Sequence, residues 1–282
     1  MIQSLATHHP VRTLCHLLSV SPSGFYQWRT RVPGRRAQAN DALCQNLKRA
    51  FELNRQTYGS PRLTRYLQRQ HIPCSENRVA RLMRQHHLQA RSKRPFRPRT
   101  TDSRQTQSAA PNRLKTCGPL TRINQAWVAD ITYIHTQTGW TYLAAVMDRF
   151  SRKIVGWTIG YTLHAFLVRD ALQQALARRR PAPGLIHHSD QGKQYASGTF
   201  RSLLQTWQII PSMNARGNCY DNAAMESFWS TLKTELVHRS AFANLPQAST
   251  AISQYIEHFY NQHRLHSALN YQSPVDFERQ LT

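Results

Sequence analysis

Residues 127–160 read WVADITYIHTQTGWTYLAAVMDRFSRKIVGWTIG, and the way this stretch divides decides the fold. WVADITYIHT, GWTYLAAVMD and KIVGWTIG are rich in β-branched and aromatic residues, which fit a pleated, half-buried surface, so they read as three strands. QTG between the first two makes a hairpin turn. Working outward, a helix is expected from about His164 to Arg179, then a short apolar strand in LIHH, a helix over Thr199 to Thr206 and a last strand in WQIIPS. Asp221 or Asn222 starts a further helix through NAAMESFWSTLKTEL. Three hairpin strands, a helix, another strand and flanking helices make a mixed α/β domain, placed at 120–240. Residues 241–282 add one amphipathic helix and a basic, histidine-rich tail.

Upstream the texture is helical. In VRTLCHLLSVSPSGFYQW, Val11, Leu14, Cys15 and Leu18 share a helical face, and a second helix restarts with Ser21 as N-cap and Pro22 in the first turn. Residues 1–32 thus read as helix, tight turn, helix. Within 36–90 the pattern repeats: Ser60 and Pro61 open one helix, Ser75 opens the next, and Val79, Leu82 and Met83 face a core. On the opposite side arginines recur at helical spacing: Arg62, Arg65 and Arg69, then Arg78, Arg81 and Arg84. Only Glu76 is interleaved nearby, so ion pairing within the face does not account for them, and phosphate contacts by a helix-turn-helix unit do. Residues 91–119, rich in Pro, Ser, Thr and Arg, have no apolar period and read as a basic, extended linker.

Charge narrows the function. The chain has 37 Lys plus Arg against 14 Asp plus Glu in 282 residues, a formal net charge of +23. Such an excess calls for a polyanionic partner held by counterion release, and nucleic acid comes first. An anionic membrane is the rival, but the apolar runs are far short of a span and residues 1–10 show no signal-peptide pattern. A location in the cytoplasm is expected. The cysteines at 15, 44, 74, 117 and 219 are scattered without a CxxC pair, which favours neither a zinc ribbon nor a disulfide framework.

In a chain so poor in acids, three carboxylates stand out. Asp130 lies inside WVADITYI, where an ionised carboxylate costs several kcal/mol unless it is paired. Asp190 ends the LIHH strand, and Gly192 lets the backbone turn sharply beside it; strand carboxyl ends are where open α/β sheets bind ligands. Glu226 sits in the first part of the following helix, on a flank shared with Lys233. Each alone has a bland reading: a satisfied buried aspartate, a turn aspartate, an exposed helix glutamate. Together they supply oxygen-only ligands suited to Mg²⁺ or Mn²⁺, and two such ions support in-line displacement at phosphorus. His187 and His188 invite a metal site, but without HxxxH or CxxC spacing they read as structural.

These residues resemble a known family. Asp190 and Glu226 are separated by 35 residues, and Lys233 follows the glutamate by seven. The blocks WVADITYI, GWTYLAAVMDRFSRKIVGW, HHSDQGKQY, SMNARGNCYDNAAMESFWSTLK and FYNQHRLHSALNYQSP look like the second-reading-frame product of the IS-three family of bacterial insertion sequences, whose core is RNase H-like. YGSPRL and ENRVARLMRQHHL are similar to the helix-turn-helix region preceding that core. The resemblance covers nearly the whole chain. It implies that Asp130, Asp190 and Glu226 bind two Mg²⁺ or Mn²⁺ ions, that the first and fourth strands lie side by side, and that Lys233 contacts a DNA phosphate. It further implies DNA transposition: nicking at the element's terminal repeats and transfer of the freed 3′-OH to target DNA. Multimers, a fusion with the upstream reading-frame product and association with the nucleoid follow from the same resemblance. One departure lies between motifs, where Ile209, Ile210 and Pro211 replace the more usual Gly-Ile. Asn218, Asp221 and Asn222 fall in an expected active-site loop; Asp221 is an alternative metal ligand or, from its place at a helix start, an N-cap.

Two readings of other classes stand beside this one. A DNA-binding regulator that has lost its chemistry has no use for a carboxylate inside WVADITYI. An RNase H-like nuclease would cut without joining ends.

Overall fold

The computed structural model of the chain describes residues 1–32, 34–90, 110–214 and 222–281. The N-terminal part is helical: α1 (Ile2–Leu5), α2 (Val11–Leu17), α3 (Pro22–Thr30), α4 (Arg35–Leu53), α5 (Ser60–Arg69) and α6 (Glu76–Gln85). Local chemistry sets several of these boundaries. Ser21 Oγ accepts from Gly24 N at 3.3 Å and Pro22 takes the first helical position of α3, while Ser75 Oγ accepts from Arg78 N at 3.4 Å at the start of α6. Gly59, not Ser60, occupies the cap of α5. The 19-residue α4, a helix absent from the sequence-based expectation, buries Leu43, Leu47, Ala50 and Phe51 against Leu63, Leu67, Val79, Leu82 and Met83 of the helices that follow.

The sheet has five strands in the order β3-β2-β1-β4-β5, with β1 Ala126–Thr136, β2 Gly139–Asp148, β3 Ile154–Gly160, β4 Ile186–Ser189 and β5 Ile210–Met213. β1, β2 and β3 are antiparallel neighbours, whereas β4 runs parallel to both β1 and β5. Thr136 pairs with Gly139 across the two-residue turn Gln137–Thr138, and Gly139, just after it, takes a φ of 119°, open to glycine at little cost. The mixed α/β architecture expected from the strand pattern is therefore present.

Strand alternation splits the core into two layers. Trp127, Ala129, Ala144, Val146 and Val155 meet α7 (Ala165–Arg179) and α8 (Gly198–Thr206) on one face. Val128, Leu143, Ala145, Met147 and Ile154 join α9 (Ala223–Glu235) and α10 (Leu245–Ser253) on the other, in one cluster with the N-terminal helices. On the first face α7 comes so close that a Cβ on Gly156 would sit 2.2 Å from the Ala171 carbonyl oxygen, so only glycine fits there.

The C-terminal stretch holds more than the one amphipathic helix expected of it. After α10 come a π-helical turn at Gln254–Tyr260, a 3-10 turn at Ser267–Leu269 and α11 (Pro274–Arg279), and each is fastened to the rest of the fold. The Asn261 side chain accepts from Ile154 N and donates to Ile154 O, both at 2.9 Å, satisfying backbone groups at the start of β3. Tyr58 Oη accepts from Leu265 N at 2.7 Å, which ties the N-terminal helices to this segment. Of the stretch expected to be a linker, residues 91–109 lie outside the described residues. Residues 113–115 form a 3-10 turn whose Leu114 is buried, and Arg113 N donates to Ser212 Oγ at 2.9 Å, so this end of it packs on β5.

Glu278 anchors α11 by accepting from Ser151 Oγ at 2.7 Å, Lys153 Nζ at 2.9 Å and the Arg179 guanidinium at 2.7 and 2.9 Å. Burial pushes its carboxyl pKa up, but these bonds outweigh burial and leave it below the ordinary glutamate value. A lowered carboxyl pKa contributes stability above the unfolded-state value near 4.5 and loses it as pH falls through the folded value. Glu278→Gln is therefore expected to destabilise the chain by roughly 1–3 kcal/mol at pH 7. Urea titrations should show that deficit shrinking below pH 4; a deficit independent of pH would show that the charge is not what holds α11.

Candidate active site

The β1–β4 ladder pairs Ala126 with Ile186, Trp127 with His187 and Val128 with His188. Two residues further along both strands the same register sets Asp130 against Asp190. The adjacency follows from parallel pairing alone, since both strands run toward the same end of the sheet. Each carboxylate is oriented by backbone: Asp130 Oδ1 accepts from Ile131 N at 2.8 Å, and Asp190 Oδ1 accepts from Gly192 N at 3.0 Å. Gly192 makes that turn possible, because a Cβ there would lie 2.9 Å from Asp190 Oδ1 and 2.9 Å from Gln194 Oε1.

The second oxygen of Asp130 is taken from across the chain. Trp229 Nε1 in α9 donates to Asp130 Oδ2 at 2.9 Å, which fixes the rotation of α9 against the sheet. One turn earlier on that helix is Glu226, exposed, and one turn later is Lys233, half-buried. Desolvation and then the charge of Asp190 push the Asp130 carboxyl up to about 7, with Glu226 adding a smaller push in the same direction. Asp190 is exposed at its strand end, yet partial loss of water raises its carboxyl pKa as well. Burial lowers the Lys233 ammonium pKa, and Asp130 pulls it the other way.

Among the described residues no three His, Cys, Asp or Glu side chains gather closely enough to enclose a metal ion. Two of the three expected ligands, Asp130 and Asp190, are brought together, and α9 carries Glu226, an exposed residue, close enough for its charge to act on Asp130. The donor set nonetheless fits a hard divalent cation: all oxygen, two carboxylates already oriented, and a mutual repulsion that a cation would relieve. Asp221, read as an alternative ligand or a cap, and Asn218 lie outside the described residues. Asn222 is buried and donates from Nδ2 to Ala129 O at 3.3 Å.

Comparison with known proteins gives the family of the chain. A family model described as an integrase core domain matches residues 121–219, a second integrase core domain model matches 207–274, and an HTH-like domain model matches 38–96. The 31 kDa protein of insertion element IS600 from Shigella sonnei is 42% identical over 264 residues, 94% of this chain and 97% of that protein. Transposase InsF for insertion sequence IS3A from Escherichia coli strain K12 is 37% identical over 274 residues, 95% of this chain and 93% of that protein. The chain belongs to the IS3-family transposases. Members of that family are polynucleotidyl transferases built on an integrase catalytic core. Among solved structures, the simian T-cell lymphotropic virus intasome in complex with a PP2A regulatory subunit matches at a TM-score of 0.46 and 18% identity, covering 78% of this chain and 70% of that one. The HTLV-2 integrase catalytic core domain in complex with magnesium matches at 0.42 and 16%, covering 55% and 96%.

Other expected site residues of the transposase are placed less simply. Of the six helix arginines read as one exposed face, Arg65, Arg69 and Arg84 are exposed, while Arg62, Arg78 and Arg81 are half-buried. Packing accounts for this: Arg62 covers the ring of Tyr58, four residues before it, while α5 lies against the C-terminal segment, with Arg65 over the Tyr271 ring and Arg69 within 3.8 Å of Asp276. Arg78 Nε donates to Asn40 Oδ1 at 2.9 Å. His187 and His188 are buried in the sheet; His188 is bonded to Ser212 Oγ and Asn214 Oδ1, and burial beside His188 drives His187 down to about 3, keeping it neutral. Among the described residues no helix is long and apolar enough to cross a membrane.

Two residues escaped the sequence reading. Trp229 passes for core in FWSTL, and only the fold shows its indole N–H aimed at a carboxylate. Tyr195, in contact with His187 and Phe200, has a buried hydroxyl without a hydrogen-bond partner, and burial, Asp190 and Asp130 all raise its pKa.

A carboxyl whose folded pKa lies above its unfolded value costs stability as pH rises between the two, here from about 4 to about 7. Asp130→Asn removes that cost. The metal-free variant is expected to exceed the wild type by roughly 1–2 kcal/mol at pH 8, with no gain below pH 4. Calorimetry at both pH values checks this, and a variant less stable at pH 8 would contradict the cost of holding a charged Asp130 away from water and beside Asp190.

Proposed function

We propose that the chain is a DDE transposase that binds the ends of its insertion element, nicks them and transfers the freed 3′ ends to target DNA, with Asp130, Asp190 and Glu226 holding two Mg²⁺ or Mn²⁺ ions. The observation that carries this reading is the convergence of Asp130 and Asp190 at parallel strand ends, with α9 clamped beside them through Trp229. When bound, such ions activate an attacking oxygen and stabilise a leaving one.

The residues have separable tasks. Asp130 and Asp190, oriented by the amides of Ile131 and Gly192, supply a fixed pair of donors. Glu226, on the exposed side of the first turn of α9, is free to swing its carboxylate onto that pair when substrate neutralises the site. Lys233, two turns along the same flank, presents its ammonium to a phosphate next to the scissile one; Arg65 and Arg84, exposed on α5 and α6, take phosphates farther along the duplex. In the nicking step a water oxygen bonds to phosphorus and the P–O3′ bond breaks, leaving a 3′-OH and a 5′-phosphate. In strand transfer that 3′-OH oxygen bonds to a target phosphorus and gives its proton to solvent, while the target P–O3′ bond breaks and the leaving O3′ takes a proton from solvent. Both are in-line displacements, so one site serves both. The enzyme works in the bacterial cytoplasm on nucleoid DNA, as a multimer and in fusion with the upstream reading-frame product.

The test is a Mg²⁺ or Mn²⁺ reaction on labelled DNA carrying the element's ends, with the wild-type chain, alone and in the fusion, beside Asp190→Asn. Nicking and end joining should fall by a factor of at least about 10³ in the variant. Nicking without joining would indicate a nuclease, and DNA binding with no chemistry in either form would leave a regulator.

A further inference from the structure

A cleft of about 500 Å³ opens on the other side of α9 from Glu226, walled by α5, the β2–β3 connection, α9 and the 3-10 turn at Ser267–Leu269. Arg62, Arg149, Arg152, Arg264 and His266 face it against a single carboxylate, Glu235. That carboxylate is already engaged, since Arg264 donates to it at 2.7 and 3.0 Å and Tyr255 Oη donates at 2.7 Å. Among the described residues no ion pair reaches Arg62, Arg149 or Arg152. Burial lowers the guanidinium pKa of Arg62, with Arg264 adding to the effect, and burial lowers that of Arg152, with Arg149 adding to it. His266 also points to a ligand: its Nε2 is buried without a hydrogen-bond partner, and burial among these arginines keeps the ring neutral. Arg62, Arg149 and Arg152 share this partly buried hollow with one carboxylate that Arg264 already engages, so they repel one another unless an anion sits between them. The guanidinium fork matches phosphate oxygens in pairs.

The helix places this cleft in relation to the acidic centre. Ala224, Ser227, Thr231 and Glu235, at helical spacing, line the cleft, whereas Glu226, Trp229 and Lys233 recur on a different side of the same helix. Across a helix of about 10 Å diameter the two sites stand roughly three nucleotide steps apart at about 3.4 Å of rise each.

We propose that this cleft is a second DNA site, which seats a backbone phosphodiester of the strand leaving the acidic centre across α9. The proposal deepens the transposase reading and rests on DNA being the substrate; it assigns the cleft no part in the chemistry.

Binding of the full chain to a short labelled duplex, followed by fluorescence anisotropy in EDTA over a series of KCl concentrations, tests it without any cleavage. For Arg149→Gln combined with Arg152→Gln we expect affinity to fall about tenfold or more and the salt slope to drop by roughly 1 to 2. The melting temperature without DNA should hold or rise, because like charges have been removed. Ser267→Glu, which places a carboxylate at the exposed rim, is the second variant: it should raise the melting temperature and weaken DNA binding. Inorganic phosphate should stabilise the wild type and not the double variant. Wild-type affinity and salt slope in both variants would overturn the proposal, and phosphate stabilisation without any effect on DNA would reduce the cleft to a site for small anions. A wild-type chain that binds DNA in this way yet never cuts would sink the transposase reading and leave the cleft standing.

Discussion

Asp130 and Asp190 stand at the ends of two strands that run in parallel and share a hydrogen-bonded ladder, so the sheet itself forces two negative charges together. Water is partly excluded there, and Lys233, the cation that Asp130 acts on, does not offset the loss of water and the charge of Asp190. The Asp130 carboxyl consequently sits near 7. That repulsion is a standing cost of the fold, and the packing around it supplies the compensation. The amides of Ile131 and Gly192 and the Trp229 indole each donate to a carboxylate oxygen, so the pair stays oriented without being neutralised. A site left electrostatically incomplete in this way is organised for a hard cation and a polyanion together, because each removes a charge the other would otherwise meet.

The helix that clamps Asp130 also orders the far side of the molecule. α9 presents Trp229 to the sheet, Met225, Phe228 and Leu232 to the core, and Glu235 to Arg264 of the C-terminal segment. Burial works against the charged form of Arg264, yet Glu235 outweighs it and holds the guanidinium pKa above its usual value. The same segment receives Tyr58 from the N-terminal helices and gives Asn261 to β3. The helix-turn-helix region and the catalytic sheet are thus joined through the last forty or so residues of the chain, and any rotation of α9 would be felt at the acidic pair and at the arginine cleft together.

Much of this was legible in the sequence, for reasons that are local. β1, β2 and β3 are runs rich in Val, Ile, Thr, Trp and Tyr between turn residues, and such runs announce themselves. The capping serines at 21 and 75 lie beside the groups they bond. Asp130 was conspicuous because a carboxylate inside an apolar strand needs a reason. What was not legible depends on partners distant in the chain. Trp229 meets a carboxylate 99 residues away, Asn261 a backbone 107 residues away, and Tyr58 a backbone 207 residues away. The helix arginines showed their period but not that α5 docks against the C-terminal segment, which turns Arg62 inward. α4 was passed over because polar residues interrupt its apolar face, and its burial comes from neighbours supplied by α5 and α6.

The central claim is that the acidic pair and Glu226 form one metal centre. Crystals of the chain bound to a duplex of its element's end, soaked in Mn²⁺ and measured by anomalous diffraction at the manganese edge, test it most directly. The account requires two peaks about 3.5 to 4 Å apart between Asp130 and Asp190, with the Glu226 carboxylate turned onto one of them. Manganese bound elsewhere, or at the two aspartates with Glu226 still facing solvent beside ordered DNA, would contradict it.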